Sequence, residues 1–202
     1  EEVQPAIFTV IERLLLPVLD EKGRILDLCC GTGYTVARLE EKGYEVTGLD
    51  ASARMLKFAR SHAPRSRFVL ADALSFHLPQ SFDAAICTFD SLNHLMTLAE
   101  LEAAIECVHT ALLPGGLFLF DMNMESGFLS HWAEHYAIVG KKETCVLRGH
   151  YDRETRVGRY DITMFRRRKQ TWQRSDTVIT ERCYSMKEIK AALRRAGFKE
   201  FS

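Results

Sequence analysis

The sequence has 202 residues, enough for one domain with a hydrophobic core and short for two. Its 27 Lys and Arg residues balance 27 Asp and Glu residues, so no net field favours nucleic acid or an anionic membrane. No apolar run approaches the ~20 residues of a membrane-spanning helix, and no signal-peptide pattern opens the sequence. We therefore expect a cytoplasmic globular protein.

The six cysteines form no CxxC pair, and most lie in apolar runs typical of buried strands or helices. This pattern favours reduced thiols over a disulfide framework. The sequence begins at Glu1 without a methionine and stops just after a predicted helix. We therefore expect it to be the ordered part of a longer protein.

Short apolar segments alternate with amphipathic helical segments as far as Asp121. This alternation predicts βαβ units and a Rossmann-like α/β fold with a doubly wound, mostly parallel sheet. In the helix that Ser52 caps, we expect Met55, Phe58 and Ala59 on the inner face. The predicted strands are 25–30, 45–50, 68–70, 82–89 and 117–120, and the predicted helices are 6–18, 34–42, 52–61 and 98–112.

The pattern changes after Asp121. Three longer segments alternate polar and apolar residues, which is typical of antiparallel strands. A final helix begins at a capping box formed by Ser185 and Glu188 and is ended by Gly197. The alternating segments are 142–150, 157–167 and 176–184.

A glycine turn joins the first predicted strand to the next helix, in the sequence LDLCCGTG at residues 26–33. Its glycines let backbone N–H groups approach a ligand without an intervening Cβ. A dinucleotide-binding turn has the pattern G-x-G-x-x-G, and one glycine of that pattern is missing here. A tight turn that binds no ligand is the alternative.

Asp50 ends the second predicted strand, 17 residues after Gly33. A carboxylate there is suited to accept hydrogen bonds from both hydroxyls of a ribose. Taken alone, a carboxylate at a strand end is more often a solvated cap. Its offset from the glycine turn favours the ribose interpretation.

Four motifs in order resemble those of class I S-adenosylmethionine-dependent methyltransferases, over roughly residues 25–123. The sequence ILDLCCGTGYT at 25–35 resembles their motif I, which usually has glycine where Cys29 stands. The others are ADA at 71–73, FDAAI at 82–86 and LPGG at 113–116, which resemble the adenine-binding turn, the fourth strand and the turn before the fifth strand.

The resemblance implies a site for the methyl donor, S-adenosylmethionine. Gly31 and Gly33 would admit the amino-acid end of the donor, with Asp27 near its ammonium group. Cys29 departs from the motif, and its small side chain either narrows the approach to the donor or, as we favour, turns into the core. The remaining implied contacts are Asp50 with the ribose, Ala51, Met55, Asp72 and Ala73 with the adenine, and Phe89 with the methionine moiety.

Candidate catalytic residues follow the fourth strand, where ligands of open α/β sheets bind. Asp90 and His94 are the leading candidates, and histidine is a common general base. In the alternative interpretation, Asp90 caps a helix and His94 packs at the surface. Asn93, Asp121 and Asn123 face the same rim. His131 and His135 stand at helical spacing without a carboxylate motif, so we predict no metal site.

The segment 141–184 carries twelve Lys and Arg residues against six Asp and Glu residues, including Arg166–Lys169 near Trp172. Such a stretch either binds RNA or, as we favour, is the solvated face of a sheet. We expect a single methyltransferase domain over 1–202, with an antiparallel β insertion after the fifth strand. The inserted helical and β subregion at 124–184 is expected to cover the acceptor site.

The predicted function is methyl transfer from S-adenosylmethionine to a small-molecule acceptor, by a protein that forms a homodimer and binds neither membrane nor, in the favoured interpretation, nucleic acid. A sulfonium donor is already activated, so in-line alignment and exclusion of water supply much of the catalysis. The alternatives are an RNA or protein methyltransferase, a non-catalytic S-adenosylmethionine-binding module and an NAD-dependent oxidoreductase.

Overall fold

The computed structural model describes the backbone of residues 3–201 and the side chains of residues 6–201. These residues form two compact units, each with its own β-sheet. The first unit contains the chain up to Leu92, Leu98–Met122 and the chain from Lys190 onward, and the second contains Asn93–Thr97 and Asn123–Ile189.

A five-stranded parallel sheet forms the centre of the first unit. Its middle strand is buried from Ile25 to Leu28, as expected for a parallel strand covered on both faces. The strands are β1 (Arg24–Leu28), β2 (Glu45–Asp50), β3 (Arg67–Leu70), β4 (Phe82–Cys87) and β5 (Leu112–Phe120), and they lie in the order β3-β2-β1-β4-β5.

The strand order reverses between β1 and β4, which creates a topological switch point at their carboxyl ends. Ligands of open α/β sheets bind in the crevice at such a point. The helices of this part of the chain are α1 (Val3–Leu14), α2 (Tyr34–Glu41), α3 (Ala53–His62) and α4 (Leu98–Ala111), together with the 3₁₀ helices Leu16–Val18 and Ser91–His94.

The hydrophobic core of the first unit joins α1 to the sheet. Phe8 and Ile11 of α1 are fully buried with Ile25 of β1 and with Val36 and Leu39 of α2. Burying a side chain of this size contributes about 1.5–3 kcal/mol, so the apolar spacing seen in the sequence accounts for the position of the helix.

The strands β1 and β4 each end two residues before the predicted position, because residues with a left-handed backbone conformation follow them. Cys29, directly after β1, has a φ of 59°. Phe89 and Asp90, just past the end of β4, have φ values of 60° and 52°. A left-handed residue cannot continue an extended strand, so the backbone turns at these points.

The inner face of α3 differs from the prediction. Met55 and Phe58 are 43% and 47% exposed, so their predicted placement in the core is wrong. Leu56 and Ala59 are the fully buried pair, and the predicted cap is confirmed because the Ser52 hydroxyl accepts from the Met55 N–H at 3.3 Å. Helical periodicity alone did not fix the rotation of the helix, since apolar residues occur on adjacent faces.

The second unit is a four-stranded antiparallel sheet in the order β6-β7-β8-β9, preceded by the short helix α5 (Glu125–Ser130). The sequence predicted three of these strands and missed β6. His131 follows α5 and His135 begins β6, so the helical spacing assumed for this pair is wrong. The strands are β6 (His135–Val139), β7 (Glu143–Asp152), β8 (Val157–Arg168) and β9 (Thr171–Arg182).

The chain continues into α6 (Met186–Ala196), whose predicted capping box is confirmed. The Glu188 carboxylate accepts from the Ser185 N–H at 2.8 Å, and the Ser185 hydroxyl accepts from the Glu188 N–H at 3.3 Å. The predicted Rossmann-like parallel sheet with an antiparallel sheet after the fifth strand is confirmed. In the part of the chain that is described, no helix combines the length and apolarity needed to cross a membrane.

An aromatic cluster forms the core of the second unit. Phe128 and Trp132 are buried, with ring centroids 5.4 Å apart, and Tyr160 lies 4.4 Å from Trp132. Gly158 of β8 faces this cluster, and a Cβ there would lie 2.6 Å from Phe128 and 2.7 Å from Trp132. The absence of a side chain at this position is therefore a packing requirement.

We predict that Gly158→Ala lowers the free energy of unfolding of the second unit by about 1–3 kcal/mol, since overpacking displaces the two rings. Thermal or urea unfolding followed by tryptophan fluorescence measures this change. The control is Gly127→Ala in α5, where the nearest atom to a new Cβ is 3.4 Å away and alanine favours the helix. Equal stability of the two variants would contradict the packing argument.

Candidate active site

A buried carboxylate lies at the carboxyl end of the middle strand. Asp27 is 2% exposed, near the end of β1. Burial, with a smaller contribution from the Asp50 carboxylate, raises the pKa of Asp27 to about 8. A cation that reached this carboxyl would favour its ionised form.

The glycine turn after β1 is folded tightly against its surroundings. The Gly33 N–H donates to the Cys30 carbonyl at 2.9 Å, and the Cys30 N–H donates to the Leu49 carbonyl at 3.0 Å. Gly33 has a φ of 76°, and a Cβ there would lie 2.9 Å from the Ala59 Cα. Gly33 is therefore required both by its backbone conformation and by the close approach of α3.

Asp50 ties the end of β2 to this turn. Its Oδ2 accepts from the Gly31 N–H at 2.9 Å, and its Oδ1 accepts from the Ser52 N–H at 2.8 Å. Each carboxylate oxygen can accept more than one hydrogen bond. Asp50 thus fixes the glycine turn and keeps acceptor capacity for ligand hydroxyls.

Five of the predicted donor-site residues line one cavity of about 250 Å³. They are Asp27, Cys29, Gly31, Met55 and Phe89. The sequence did not single out the other lining residues, although the ends of β1 and β4 and the start of α2 supply most of them. These are Cys30, Thr32, Tyr34, Thr35, Thr88 and Ser91.

The other predicted donor-site residues lie outside that lining. Gly33 lies in the turn where α3 packs against it, and Asp50 accepts a hydrogen bond from the Gly31 N–H of the same turn. Ala51 is exposed, as is Asp72, whose Oδ1 accepts from the Leu74 N–H at 2.9 Å. Ala73 is half-buried beside Asp72.

Cys29 occupies the position where motif I usually has glycine. Its left-handed φ of 59° explains that preference, because a Cβ disfavours this conformation. The pKa of the buried Cys87 thiol is raised, mainly by a hydrogen bond with Cys29 and to a smaller extent by burial. The Cys29 side chain therefore contacts the core at Cys87, while the residue also lines the cavity. All six cysteines are free.

The cavity suits a cationic group. Among the described residues that line it, Asp27 is the one carboxylate, and lysine, arginine and histidine are absent. S-adenosylmethionine carries an ammonium and a sulfonium. A volume of about 250 Å³ is below the 300–1,000 Å³ typical of ligand pockets, so it suits one part of such a donor. The exposed Met55 and Leu70 provide apolar surface on α3 and β3.

The two predicted catalytic residues belong to different units. Asp90 belongs to the first, and its N–H donates to Asp121 Oδ2 at 3.0 Å. His94 belongs to the second, with Nδ1 3.1 Å from the Thr180 carbonyl and Nε2 3.7 Å from Oε1 of the buried Glu181. Sequence reasoning missed Glu181, because a carboxylate near the end of a strand with alternating polar residues carries no local signal.

Asn93 and Asn123 form a reciprocal pair in the second unit. The Asn123 N–H donates to Asn93 Oδ1 at 2.9 Å, and Asn93 Nδ2 donates to the Asn123 carbonyl at 3.1 Å. Asn93 is fully buried, so this pair has a structural role in positioning the chain. No group of three or more potential metal-ligating side chains occurs in the described part of the chain.

Comparison with known proteins decides the family. A model described as a methyltransferase domain matches residues 25–116. The chain is 31% identical over 186 residues to the putative methyltransferase YqeM of Bacillus subtilis, covering 90% of this chain and 75% of that protein. The chain belongs to the class I S-adenosylmethionine-dependent methyltransferases.

Other methyltransferases show the same likeness. The chain is 35% identical over 111 residues to a dTDP-3-amino-3,6-dideoxy-alpha-D-glucopyranose N,N-dimethyltransferase of Streptomyces fradiae, covering 52% of this chain and 44% of that enzyme. The structure of the amino pentose methyltransferase CalS10 from Micromonospora echinaspora, with S-adenosylmethionine bound, matches with a TM-score of 0.76. It is 26% identical, and the match covers 97% of this chain and 82% of that one.

The chain therefore spans three quarters of the Bacillus protein and less than half of the Streptomyces enzyme. Membership of the methyltransferase family makes S-adenosylmethionine the cofactor and replaces the NAD-dependent oxidoreductase alternative. The absence of a complete dinucleotide-binding glycine pattern in the turn agrees with this result.

We predict that the buried Asp27 makes the stability of this methyltransferase fall as pH rises. Its carboxyl has a pKa of about 8 in the folded protein and about 4 when unfolded, so the native state holds an extra proton between these values. Stability then decreases from about pH 4 to about pH 8, by up to ~1.4 kcal/mol per pH unit.

Urea unfolding of the wild type and Asp27→Asn, at several values between about pH 5 and about pH 8, measures this dependence. The amide cannot ionise, so the variant is expected to gain stability relative to the wild type as pH rises. A stability difference that stays constant over this range would show that Asp27 does not titrate there.

Proposed function

We propose that this methyltransferase transfers a methyl group from S-adenosylmethionine to the nitrogen of a small-molecule amine, with amino sugars as the leading acceptor class. The observation that carries the choice of an amine is a row of carboxylates. An aspartate lies at or just beyond the carboxyl end of every strand of the parallel sheet. These residues are Asp27, Asp50, Asp72, Asp90 and Asp121.

Negative charges along this row raise the local concentration of cations. A cation that reached Asp27, whose pKa is raised to about 8, would favour the ionised form of that carboxyl as well. Both the donor and a protonated amine are cationic, whereas a carboxylate or phosphate as the reacting group would be repelled from these strand ends. Two similar proteins, from Streptomyces fradiae and Micromonospora echinaspora, are named for amino-sugar substrates, which supports the same acceptor class.

The residues of the donor site have separate roles in the proposal. Asp27 binds the ammonium of the donor, and the turn at Gly31 admits its amino-acid end. Asp50 accepts hydrogen bonds from the ribose. Phe89 lies against the methionine moiety and helps exclude water. Ala51, Met55, Asp72 and Ala73 hold the adenine.

When bound, S-adenosylmethionine supplies an activated methyl group. The protein must then align the acceptor nitrogen with that group, which lowers the barrier by several kcal/mol through proximity. The attacking nitrogen must have lost its ammonium proton. Asp90 and His94 are the proposed proton acceptors, since both follow β4 closely in the chain.

Several further features of the proposal rest on sequence. The proposed location is the cytoplasm, and homodimer formation stays a prediction. A single domain over 1–202, with residues 124–184 contributing to acceptor binding, also stays a prediction. In the second unit the basic run Arg166–Lys169 and Trp172 are exposed, as a solvated sheet face would be.

We predict that Asp50→Ala weakens S-adenosylmethionine binding at least tenfold. The variant loses the hydrogen bonds to Gly31 and Ser52 as well as the proposed ribose contact, together worth more than about 1.4 kcal/mol. Titration calorimetry with S-adenosylmethionine, S-adenosylhomocysteine and NAD measures the change.

The control is Asp83→Ala, which removes a carboxylate near the amino end of β4, away from the donor cavity. Asp83 Oδ2 accepts from the Arg24 N–H at 2.7 Å. This variant is expected to keep its donor affinity. A wild-type protein that binds NAD in place of the sulfur compounds would overturn the proposed donor site.

We predict that amines are methylated and that matched alcohols are not. A panel of amino sugars, each paired with the sugar that carries hydroxyl at the same position, is incubated with protein and S-adenosylmethionine. Mass spectrometry of the products detects the added methyl group. Donor binding without turnover on any amine would instead support a non-catalytic module.

Methylation of RNA, with affinity that falls steeply as salt rises, would contradict the small-molecule assignment. Arg166→Ala/Arg167→Ala/Arg168→Ala serves as the matched variant, because it removes the three arginines of the basic run and none of them lines the donor cavity. Loss of RNA binding in this variant would locate that activity on the second unit.

A further inference from the structure

The segment after β4 holds two consecutive residues in an unfavourable backbone conformation. Phe89 and Asp90 have φ values of 60° and 52°, the left-handed region that glycine adopts freely and residues with a Cβ do not. Phe89 lines the donor cavity together with its neighbours Thr88 and Ser91. The first of the two strained residues therefore forms part of the cavity wall.

One side chain from the neighbouring strand holds this segment. Asp121, directly after β5, accepts from the Asp90 N–H through Oδ2 at 3.0 Å. Its own N–H donates to the Cys87 carbonyl at 3.3 Å, which joins the ends of β4 and β5. The residues on either side of Phe89 and Asp90 are also joined, because the Ser91 hydroxyl donates to the Thr88 carbonyl at 2.7 Å.

The second oxygen of the same carboxylate is poorly satisfied. Among the described residues, Asp121 Oδ1 is buried and has no hydrogen-bond partner. A buried carboxylate oxygen left in this state is destabilising, so general stability does not explain an acid at this position. The bond from Oδ2 to the strained segment does.

We propose that Asp121 is a positioning residue that holds Phe89 and Asp90 in left-handed conformations and so shapes the donor cavity. The effect is exerted through the backbone, and Asp121 need not touch the donor. This inference rests on the proposed binding of S-adenosylmethionine in the cavity that Phe89 lines.

A double-mutant cycle between Asp121 and Asp90 tests the proposal. Glycine accepts a φ of 52° without steric cost, so Asp90→Gly removes the strain that Asp121 is proposed to hold. Asp121→Ala is expected to weaken S-adenosylmethionine binding about tenfold when residue 90 is aspartate, and by less than about twofold when it is glycine. Titration calorimetry supplies all four affinities.

Asp121→Asn should bind the donor within about threefold of the wild type, because the amide oxygen can still accept from the Asp90 N–H. Asp83→Ala removes a comparable carboxylate-to-backbone hydrogen bond from the opposite edge of the sheet. It is expected to lower the thermal midpoint and leave donor affinity unchanged. A purely structural role for Asp121 would give this same result.

Wild-type donor affinity in Asp121→Ala would overturn the proposal, as would an equal loss whether residue 90 is aspartate or glycine. If Asp121→Ala does not fold, Asp121→Ser replaces it, since its shorter side chain withdraws the acceptor from the Asp90 N–H. Absence of donor binding in the wild type would instead refute the proposed donor site.

Discussion

The arrangement of the donor site depends on the two hydrogen bonds that the Asp50 carboxylate accepts. One joins it to the glycine turn at Gly31, and the other to Ser52 at the start of α3. A single side chain thereby sets the turn after β1 and the first turn of a helix relative to the end of β2. Because α3 also packs against Gly33, the turn is held on two sides.

A buried acid, Asp27, lines the cavity beside this turn. Asp27 has a strongly raised pKa because its surroundings exclude water and the Asp50 carboxylate is nearby. Such an environment is unfavourable for an empty, charged site and favourable for one that contains a cationic ligand. The same desolvation that costs stability strengthens the attraction to the donor.

Much of the first unit could be predicted because its strands are buried on both faces and appear as short apolar runs. The glycine turn and Asp50 were identified from spacing, and the cavity contains five of the residues that the resemblance to class I methyltransferases implied. The rotation of α3 was missed because Met55 and Leu56 are adjacent and both apolar. β6 was missed because all its residues are exposed, so burial imposes no alternation on its sequence. The contact of Cys29 with Cys87 depends on a backbone conformation that composition does not encode.

The edge of the second sheet has a consequence for solubility. β9 is twelve residues long and lies at one edge of that sheet, with Val178 and Ile179 exposed. A long edge with exposed apolar side chains is a template for pairing with another extended chain. Arg174 and Asp176 interrupt this apolar edge and form an ion pair at 2.9 Å. A strand that paired with β9 would remove both charged groups from water. These two residues act as gatekeepers against aggregation, so sequence changes along β9 are constrained by colloidal stability.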